Sequence, residues 1–540
     1  FRTIDGSCNN RLNVDRGRSS RVFKRMLPAA YNDGFGESSI SWTCGSRLPS
    51  ARAVTQAIKN GTNAPSTIAS HQFPLWGQFL THDISKLGED KTEAGHIRLA
   101  CPCGDTNPLC FNIEIPTGDV MKTEKDCIPF VRALKVPDVN CKNTTREQEN
   151  RVTPFIDASN VYGSNEQFKF NLKSGCAKYC NTAGFNPITL PFLISGDTRV
   201  NEQAPLMAGH TTWLRMHNKI ADQLSVMNPN WSGTKKYETA RSIVGALHQQ
   251  ITYNEFLPIL LGDDIMKRFG LQLTKKGYYY GYDTLYDATV DISVVTAALR
   301  LGHTLINQIL TQPHPDFSSN PSDNMDLRTQ KFGVGSIMRG MVTDHAMKFD
   351  TDFAEAMIDR LFAEPASLPP GKFGKDLPAL NIQRGRDHGI PSYNEHRRFC
   401  GLSVAKNFDE LVDIPPNLRA KLSTVYNGNV DDIDLYPGGI AETSITGGIS
   451  GPTFACLMAY QFRDLRKGDS FWYENGGSSA KFTLSQLRSI KQTMLSGVIC
   501  DVGENVTTIQ PEVMKLHTLP GNQRVPCTSL TSLDLSPWNE

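Results

Sequence analysis

The chain has 540 residues and a formal net charge of +1, which argues against a dedicated nucleic-acid binder, because such a protein needs a basic face to neutralise phosphates. Hydrophobic residues make up 39% of the sequence and charged residues 21%, a balance typical of a folded globular protein rather than a disordered one. No apolar run approaches the roughly 20 residues needed to span a bilayer. The chain shows no signal peptide, and we interpret Phe1 as a processed end.

Thirteen cysteines are many for a protein of a reducing compartment. Four Asn-X-Ser/Thr sequons are also present, at Asn60, Asn143, Asn230 and Asn505. Together these features predict a secreted, extracellular glycoprotein. The odd number of cysteines leaves one without an internal partner, and it could be a free thiol, a bond to another chain or the mate of a removed segment.

Four cysteines cluster in one stretch of the chain, at Cys101, Cys103, Cys110 and Cys127. The Cys-Pro-Cys sequence could indicate a metal site, but no CxxC pair with zinc spacing follows it. We therefore favour disulfides and predict a cysteine-bound loop over 98–127.

Helical periodicity dominates the hydrophobic pattern. It is found at Phe73, Trp76, Leu80 and Ile84, at Leu299, His303, Ile306 and Leu310, and from Leu206 to Leu224. Strand-like alternation is scarce and short. We predict a mainly α fold with little β structure, as one large helical domain over 1–540 with long loops at 86–150, 171–205 and 312–335. A C-terminal tail over 500–540 is expected to be fastened by Cys500 and Cys527.

The first periodic stretch, from His71 to Leu87, places polar side chains on one helix face. Gln78, Thr81 and His82 share that face, whereas Asp83 projects about 100° away from His82. By itself, a histidine at such a place is more often a hydrogen-bonded structural residue than a functional one. Other motifs along the chain change this interpretation.

Five motifs carry a family resemblance. They are HQFPLWGQFLTHD at 71–83, TPFIDASNVYG at 153–163, SGDTRVNEQ at 195–203, LRLGHTLI at 299–306 and LPALNIQRGRDHG at 377–389. Their order and separations resemble those of the animal haem peroxidases over nearly the whole chain, most of all the invertebrate peroxinectin-type members. The resemblance implies a secreted peroxidase that uses hydrogen peroxide to oxidise halides, thiocyanate or phenols such as tyrosine, through a ferryl intermediate.

On the distal side of the haem, the resemblance assigns three catalytic residues. His82 matches the distal base, and a neutral imidazole can take a proton from one peroxide oxygen and return it to the other. Arg199 matches the distal arginine, whose permanent cation stabilises charge on the departing oxygen. Gln78 matches the glutamine that orders water and halide above the iron.

On the proximal side, His303 matches the haem-iron ligand. Asn381 matches the asparagine that accepts the other ring N–H, and a neutral amide withdraws that proton less than a carboxylate would. By the same resemblance, Arg300 and Arg384 are expected to bind the haem propionates.

A calcium site is also implied. Thr153, Phe155, Asp157 and Ser159 alternate along an extended loop, so they point to one side, and Asp83 supplies a second carboxylate. Phe155 can contribute only its carbonyl. Hydroxyl, carboxylate and carbonyl oxygens suit Ca²⁺, although the loop taken alone would fit a turn with capping residues.

Two positions depart from the family pattern. Many members attach haem through two esters, and here Glu202 occupies one of those positions but Thr81 occupies the other. A hydroxyl cannot form that ester, so we expect Thr81 to line the haem site without a bond and Glu202 to form at most one ester. Gln203 stands where some members have a methionine that bonds to haem. Fewer links favour oxidation of bromide, iodide, thiocyanate or phenols over chloride.

By resemblance, Cys400 should pair with Cys456 and Cys500 with Cys527. We also expect Cys101–Cys110, Cys103–Cys127, Cys176–Cys180 and Cys8–Cys44. These pairings leave Cys141 without a partner in the chain, and it could link two chains into a disulfide-bonded dimer.

Some features allow two interpretations. His210 and His217 could indicate a second metal site, but the resemblance makes them structural, as it does His388. Lys467-Gly468-Asp469 resembles an integrin-binding tripeptide, so an alternative function is a cell-adhesion or matrix protein on a peroxidase scaffold; we favour a packed loop. A fatty-acid-oxidising relative such as a cyclooxygenase is a third interpretation, against which Gln78 and the two calcium carboxylates argue.

Overall fold

The computed structural model describes residues 1–38, 47–61, 64–88, 99–136, 145–166, 195–319, 325–326, 333–363 and 373–540. The predictions that concern Cys44, Cys141, Cys176, Cys180 and Asn143 lie outside these residues. The prediction of one catalytic domain over 1–540 stays a prediction.

Helices make up most of the regular structure in the described ranges. In chain order they are α1 (Ala51–Ile58), α2 (Gln72–Ile84), α3 (Ser159–Tyr162), α4 (Ala204–Met227), α5 (Gly233–Ile251), α6 (Leu257–Arg268), α7 (Ile292–Thr296), α8 (Val334–Thr343), α9 (Glu355–Ile358), α10 (Leu377–Asp387), α11 (Tyr393–Phe399), α12 (Pro416–Val425), α13 (Leu435–Ala441), α14 (Pro452–Lys467), α15 (Leu484–Gln492) and α16 (Leu495–Val502). A π-helix at Thr252–Phe256 joins α5 to α6. The 3-10 helices lie at Val120–Thr123, Thr198–Asn201, Ala298–Leu305, Phe408–Glu410, Val430–Asp432, Cys527–Ser529 and Ser536–Trp538.

The strands of the described residues are short and form only two-stranded antiparallel pairs. The pairs are β1 (Arg21–Val22) with β5 (Glu149–Asn150), β2 (Pro65–Ser70) with β8 (His345–Met347), β3 (Ile113–Glu114) with β4 (Cys127–Ile128), β6 (Ile309–Leu310) with β7 (Met325–Asp326), and β9 (Thr508–Ile509) with β10 (Val525–Pro526). Such pairs cannot build a sheet core, so the predicted mainly α fold is confirmed.

The predicted distal helix is present as α2, with its apolar side chains in the core. Phe73, Trp76, Leu80 and Ile84 are all at most 2% exposed. Trp76 meets Trp213 of α4 with ring centroids 6.0 Å apart. The helix ends before Ser85, whose backbone is extended. The opposite, polar face of α2 carries the predicted site residues.

The second periodic stretch was predicted as an amphipathic helix from Leu299 to Leu310, and this prediction is wrong. The structure has a 3-10 helix at Ala298–Leu305, after which Ile309–Leu310 forms strand β6. A 3-10 helix has 3.0 residues per turn instead of 3.6, so an α-helical spacing of apolar residues no longer marks one face. The element that carries His303 is therefore shorter and tighter than expected.

Four disulfides connect cysteines in the described ranges, namely Cys101–Cys110, Cys103–Cys127, Cys400–Cys456 and Cys500–Cys527. All four were predicted and are confirmed. Cys8 is an exposed free cysteine there. None of the helices in these ranges is both long and apolar enough to cross a bilayer.

Candidate functional site

The polar face of α2 presents His82 beside the end of the 3-10 turn at Thr198–Asn201. His82 is 6% exposed, and its Nε2 lies 3.9 Å from Oε2 of Glu202. Its buried Nδ1 has no hydrogen-bond partner among the described residues. Burial lowers the pKa of His82 well below its usual value and the nearby Arg199 cation lowers it further, so the ring is neutral and able to accept a proton.

Arg199 is held next to this histidine by a carboxylate two residues before it. Asp197 accepts hydrogen bonds from the Arg199 backbone N–H at 2.8 Å and from its Nε at 2.9 Å. Nη2 of Arg199 also donates to the carbonyl of Ser85, 2.8 Å away at the end of α2. Burial opposes ionisation of Asp197, but the attraction of Arg199 outweighs it and lowers the pKa of this carboxyl far below its usual range.

Gln78 completes the distal group. Its Nε2 donates to Oε2 of Glu202 at 3.3 Å, and its Oε1 accepts from Nε2 of Gln203 at 2.7 Å. The hydroxyl of Thr81 donates back to the carbonyl of Gly77 at 2.7 Å. The structure thus brings together Gln78, His82, Arg199 and Glu202, with the Glu202 side chain 40% exposed.

His303 lies in the 3-10 helix at Ala298–Leu305, which packs against α2. Its Nδ1 is 2.8 Å from Nδ2 of Asn381, and Nε2 has no hydrogen bond among the described residues. Burial and the Arg300 cation lower the pKa of His303 to about 3. A neutral imidazole is the form that ligates a metal, and Nε2 of His303 can do so once the ring proton lies on Nδ1.

The orientation of Asn381 differs from the expected one. Its Oδ1 accepts a 2.6 Å hydrogen bond from Nη1 of Arg300, so the amide nitrogen, and not the oxygen, faces His303. Arg300 is thereby hydrogen-bonded to Asn381. Burial of Arg300 and the charge of the nearby Arg384 lower the pKa of Arg300 to about 10.

Arg384 also has partners within the chain. It donates to the carbonyl of Val131 at 3.0 Å and to Oδ2 of Asp387 at 2.8 Å, and its guanidinium lies 4.1 Å from the ring centroid of Phe130. The propionate roles expected for Arg300 and Arg384 therefore stay predictions.

The loop after β5 brings the predicted calcium ligands into contact. Oγ1 of Thr153 donates to Oδ1 of Asp157 at 3.0 Å, and Oγ of Ser159 donates to Oδ1 of Asp83 at 3.0 Å. Phe155 is 1% exposed in the same loop. Asp83 therefore faces this loop while His82, its neighbour on α2, faces Arg199.

The two carboxylates of this loop are buried close together. Oδ2 of Asp157 is buried without a hydrogen bond among the described residues. Burial and repulsion from Asp83 raise the pKa of Asp157 to about 7. No cluster of three or more His, Cys, Asp or Glu side chains of metal-binding type occurs in the described ranges, and the predicted calcium ligands include only two carboxylates, Asp83 and Asp157. An unsatisfied buried carboxylate oxygen fits a cation ligand.

Sequence reasoning missed two supporting residues. Asp197 had a signal, since it lies inside the GDTR motif two positions before Arg199. His248, whose Nδ1 lies 3.7 Å from Oδ2 of Asp83, had none, because 165 positions separate the two residues.

The predicted structural histidines are bonded within the fold. Nδ1 of His210 lies 2.9 Å from Oγ of Ser195, and Nδ1 of His388 lies 2.9 Å from Oγ1 of Thr296. Nδ1 of His217 lies 2.9 Å from the hydroxyl of Tyr162. These contacts favour structural roles over a second metal site.

The aspartate of the tripeptide in the adhesion alternative is buried and paired. Asp469 is 1% exposed and forms a 2.7 Å ion pair with Nη2 of Arg2. Asn9 donates a further hydrogen bond to it at 2.8 Å. An integrin-type contact needs a free aspartate, so these contacts favour the packed loop over the adhesion alternative.

The family model described as animal haem peroxidase matches residues 1–514. The chain belongs to this family. Its curated relatives include human eosinophil peroxidase, 34% identical over all of this chain and 79% of that protein. Mouse myeloperoxidase is 34% identical over all of this chain and 80% of its own length. Drosophila melanogaster peroxidasin is 33% identical over all of this chain but only 38% of that protein, so the chain spans less than half of the peroxidasins it matches.

Solved structures give the same answer for the fold. Peroxidase A from Dictyostelium discoideum has a TM-score of 0.77 and 25% identity over 95% of this chain and 99% of its own. A fatty acid alpha-dioxygenase from Arabidopsis thaliana has a TM-score of 0.74 over 96% of this chain and 84% of its own, at 19% identity. This second likeness shows a shared fold only. The predicted family is confirmed.

Proposed function

We propose that this animal haem peroxidase domain uses hydrogen peroxide to oxidise halides, thiocyanate or phenols outside the cell. The observation that carries the proposal is the arrangement of two neutral histidines on elements that pack together. His82 lies on α2 and has Arg199 beside it. His303 lies on the adjoining 3-10 helix, and its Nε2 has no hydrogen bond among the described residues. An imidazole-liganded haem between them would supply two-electron redox chemistry.

The distal residues divide the work of breaking the peroxide O–O bond. Neutral His82 accepts the proton of one peroxide oxygen and returns that proton to the other, departing oxygen. Arg199 stabilises negative charge on that oxygen, because its guanidinium is fixed by Asp197 and the Ser85 carbonyl and needs no reorganisation during the reaction.

The site also suggests how the donor and the cofactor are held. Gln78 and Glu202 form a hydrogen-bonded polar pair next to His82, which suits an ordered water or a small anion. Glu202 carries the carboxylate for a single ester to haem, whereas the Thr81 hydroxyl is bonded to the Gly77 carbonyl. A singly linked haem is less distorted, so bromide, iodide, thiocyanate and tyrosine-like phenols are the proposed donors.

The buried oxygen cluster would hold Ca²⁺ through Asp83, Thr153, Phe155, Asp157 and Ser159. The unsatisfied Oδ2 of Asp157 and the proximity of Asp83 support this assignment. A cation there removes the repulsion between the carboxylates and fixes α2, which also carries His82.

An extracellular location is supported by the four disulfides and by the exposure of Asn60, Asn230 and Asn505, the three sequon asparagines in the described ranges. Mass spectrometry of the protein from an animal secretory host should show glycans at these asparagines.

The test of the peroxidase proposal is a haem-loaded protein assayed with peroxide plus bromide, thiocyanate and tyrosine. The wild type should show a Soret band and turn over at least one of these donors. His303→Ala should lose the Soret band, while His82→Ala should keep the band and lose about 10²–10⁴-fold in the rate of reaction with peroxide. His314→Ala, outside the site, is the control. Full turnover by His303→Ala would refute the proposal.

A further inference from the structure

A tyrosine-rich segment lies on the surface, and nothing in the peroxidase chemistry above uses it. Residues 278–286 hold five of the fifteen tyrosines of the chain, at Tyr278, Tyr279, Tyr280, Tyr282 and Tyr286. These five tyrosines therefore lie within nine consecutive positions.

Four of the five rings are engaged inside the fold. Three have hydroxyls in hydrogen bonds: Tyr278 donates to the Phe482 carbonyl at 2.9 Å, Tyr282 donates to the Asn9 carbonyl at 3.3 Å, and Tyr286 accepts from Lys467 at 3.2 Å. The guanidinium of Arg466 lies 4.2 Å from the ring centroid of Tyr279.

Tyr280 differs from these rings. It is 74% exposed and is the only tyrosine in the described ranges that is exposed rather than buried or half-buried. Its hydroxyl has no hydrogen bond to the described part of the chain. The phenol is therefore open to solvent, while Cε1, one of the two ring carbons next to it, lies against Gly476.

Hydrogen bonds hold the backbone around Tyr280, so the ring has a defined position on the surface. The N–H of Tyr279 donates to the Glu474 carbonyl at 2.7 Å, and the N–H of Gly476 donates to the Tyr279 carbonyl at 3.0 Å. A Cβ on Gly476 would lie 2.7 Å from ring atoms of Tyr280 and from Tyr278. The absence of a side chain at Gly476 thus lets the Tyr280 ring pack on the backbone.

The surface beside Tyr280 suits a second copy of itself. A groove of about 460 Å³ is lined by Arg11, Tyr280, Tyr282 and Asp283, among others. Arg11 and Asp283 carry opposite charges in this groove, so two copies related by a two-fold axis could pair each arginine with the other copy's aspartate. Leu285, on the same segment, is 81% exposed and adds apolar surface.

We propose that Tyr280 is an oxidative cross-linking site at which two copies of this chain become joined through their Tyr280 rings. The inference rests on the proposed oxidation of phenols. Each Tyr280 hydroxyl loses one electron and one proton, and the two phenoxyl radicals join through the ring carbons next to the oxygens. The hydrogens on those carbons move to the oxygens and restore two phenols, while one H₂O₂ accepts the two electrons and two protons and becomes two H₂O.

The test treats the haem-loaded protein with peroxide in the presence of N-acetyltyrosine as a diffusible phenol. The wild type should give a dimer that survives boiling and reduction, and peptide mass spectrometry should find Tyr280 joined to Tyr280. Tyr280→Phe should lose this dimer. Tyr286→Phe, from the same segment, should keep it.

A parallel arm replaces the protein's own activity with an added phenol-oxidising peroxidase of another family. If that enzyme links Tyr280 and the protein alone does not, the proposed oxidation of phenols fails while the cross-linking site stands. If N-acetyltyrosine is dimerised but no protein dimer forms in either arm, or if Tyr280→Phe forms as much dimer as the wild type, the cross-linking site is wrong.

Discussion

Arg300 donates a 2.6 Å hydrogen bond to Oδ1 of Asn381, and this contact decides which end of the Asn381 amide faces His303. If Nε2 of His303 is to hold haem iron, the ring proton must lie on Nδ1, where it would need an acceptor. We therefore expect the amide to turn over when haem binds, which releases the guanidinium of Arg300. Arg300 would then be free for the propionate role that the family resemblance implies.

The first prediction concerns this proximal amide. Asn381→Leu removes any acceptor for the His303 N–H, so haem affinity should fall about 10–100-fold in a titration followed by the Soret band. Asn381→Asp should retain haem but lower its Fe(III)/Fe(II) potential, because a carboxylate makes the imidazole a stronger donor. Gln383→Ala on the same helix is the control. Unchanged affinity and potential in both Asn381 variants would contradict the assigned role.

The second prediction concerns the covalent link. Glu202 alone offers a carboxylate, since Thr81 occupies the other ester position and its hydroxyl donates to Gly77. After turnover with peroxide, peptide mass spectrometry should find haem bound once, at Glu202. Glu202→Gln should release its haem into acidified organic solvent, whereas Thr81→Val should behave like the wild type. Haem found at two positions, or at Thr81, would refute this.

The third prediction concerns the cation. Removal of Ca²⁺ by a chelator should lower the Tm and the Soret absorbance together, because Asp83 and His82 are neighbours on α2. Asp157→Asn should no longer respond to the chelator. Restoring Ca²⁺ should recover the Tm and the Soret absorbance of the wild type and should not change those of Asp157→Asn. A wild type that keeps its Tm and activity after complete calcium removal would rule the site out.

The fourth prediction concerns Arg2, which pairs with the buried Asp469 at 2.7 Å. Arg2→Leu leaves that carboxylate with hydrogen bonds but no cation, so we expect a loss of about 3 kcal/mol in the free energy of unfolding, seen as a lower Tm. The control is Lys515→Leu, which breaks a pair with Glu512 whose side chains are 33% and 48% exposed and should cost at most about 1 kcal/mol. Equal losses in the two variants would show that the Arg2–Asp469 pair contributes no more to the free energy of unfolding than an exposed ion pair.

The fifth prediction is a pH dependence of stability from Glu255. This residue is 7% exposed and accepts a hydrogen bond from the Leu495 N–H at 2.9 Å, at the start of α16. Burial raises its pKa to about 8 from 4.5, so the folded chain holds a proton that the unfolded chain releases. Its contribution to stability is full below pH 4.5 and is lost as the pH rises to 8.

Glu255→Gln keeps the shape of this side chain without an ionisable group. The difference in Tm between variant and wild type should therefore move in favour of Glu255→Gln as the pH rises from 5 to 8. A difference that stays constant over that range would show that Glu255 does not titrate there.

The sequence by itself determined the helical class and the polar face of α2, because helix spacing involves residues only a few positions apart. The four disulfides found in the described ranges were expected partly from the family resemblance. The sequence also marked His82, Arg199 and His303, because the motifs around them resemble those of the animal haem peroxidases.

Only the tertiary structure decided the features that depend on distant partners. The burial of Asp469 depends on Arg2, 467 positions away, and the orientation of Asn381 depends on Arg300, 81 positions away. The change from the predicted helix to a 3-10 helix around His303 likewise has no local signal. Free energies of burial and pairing between such distant segments decide these outcomes, and a periodicity of three or four residues contains no information about them.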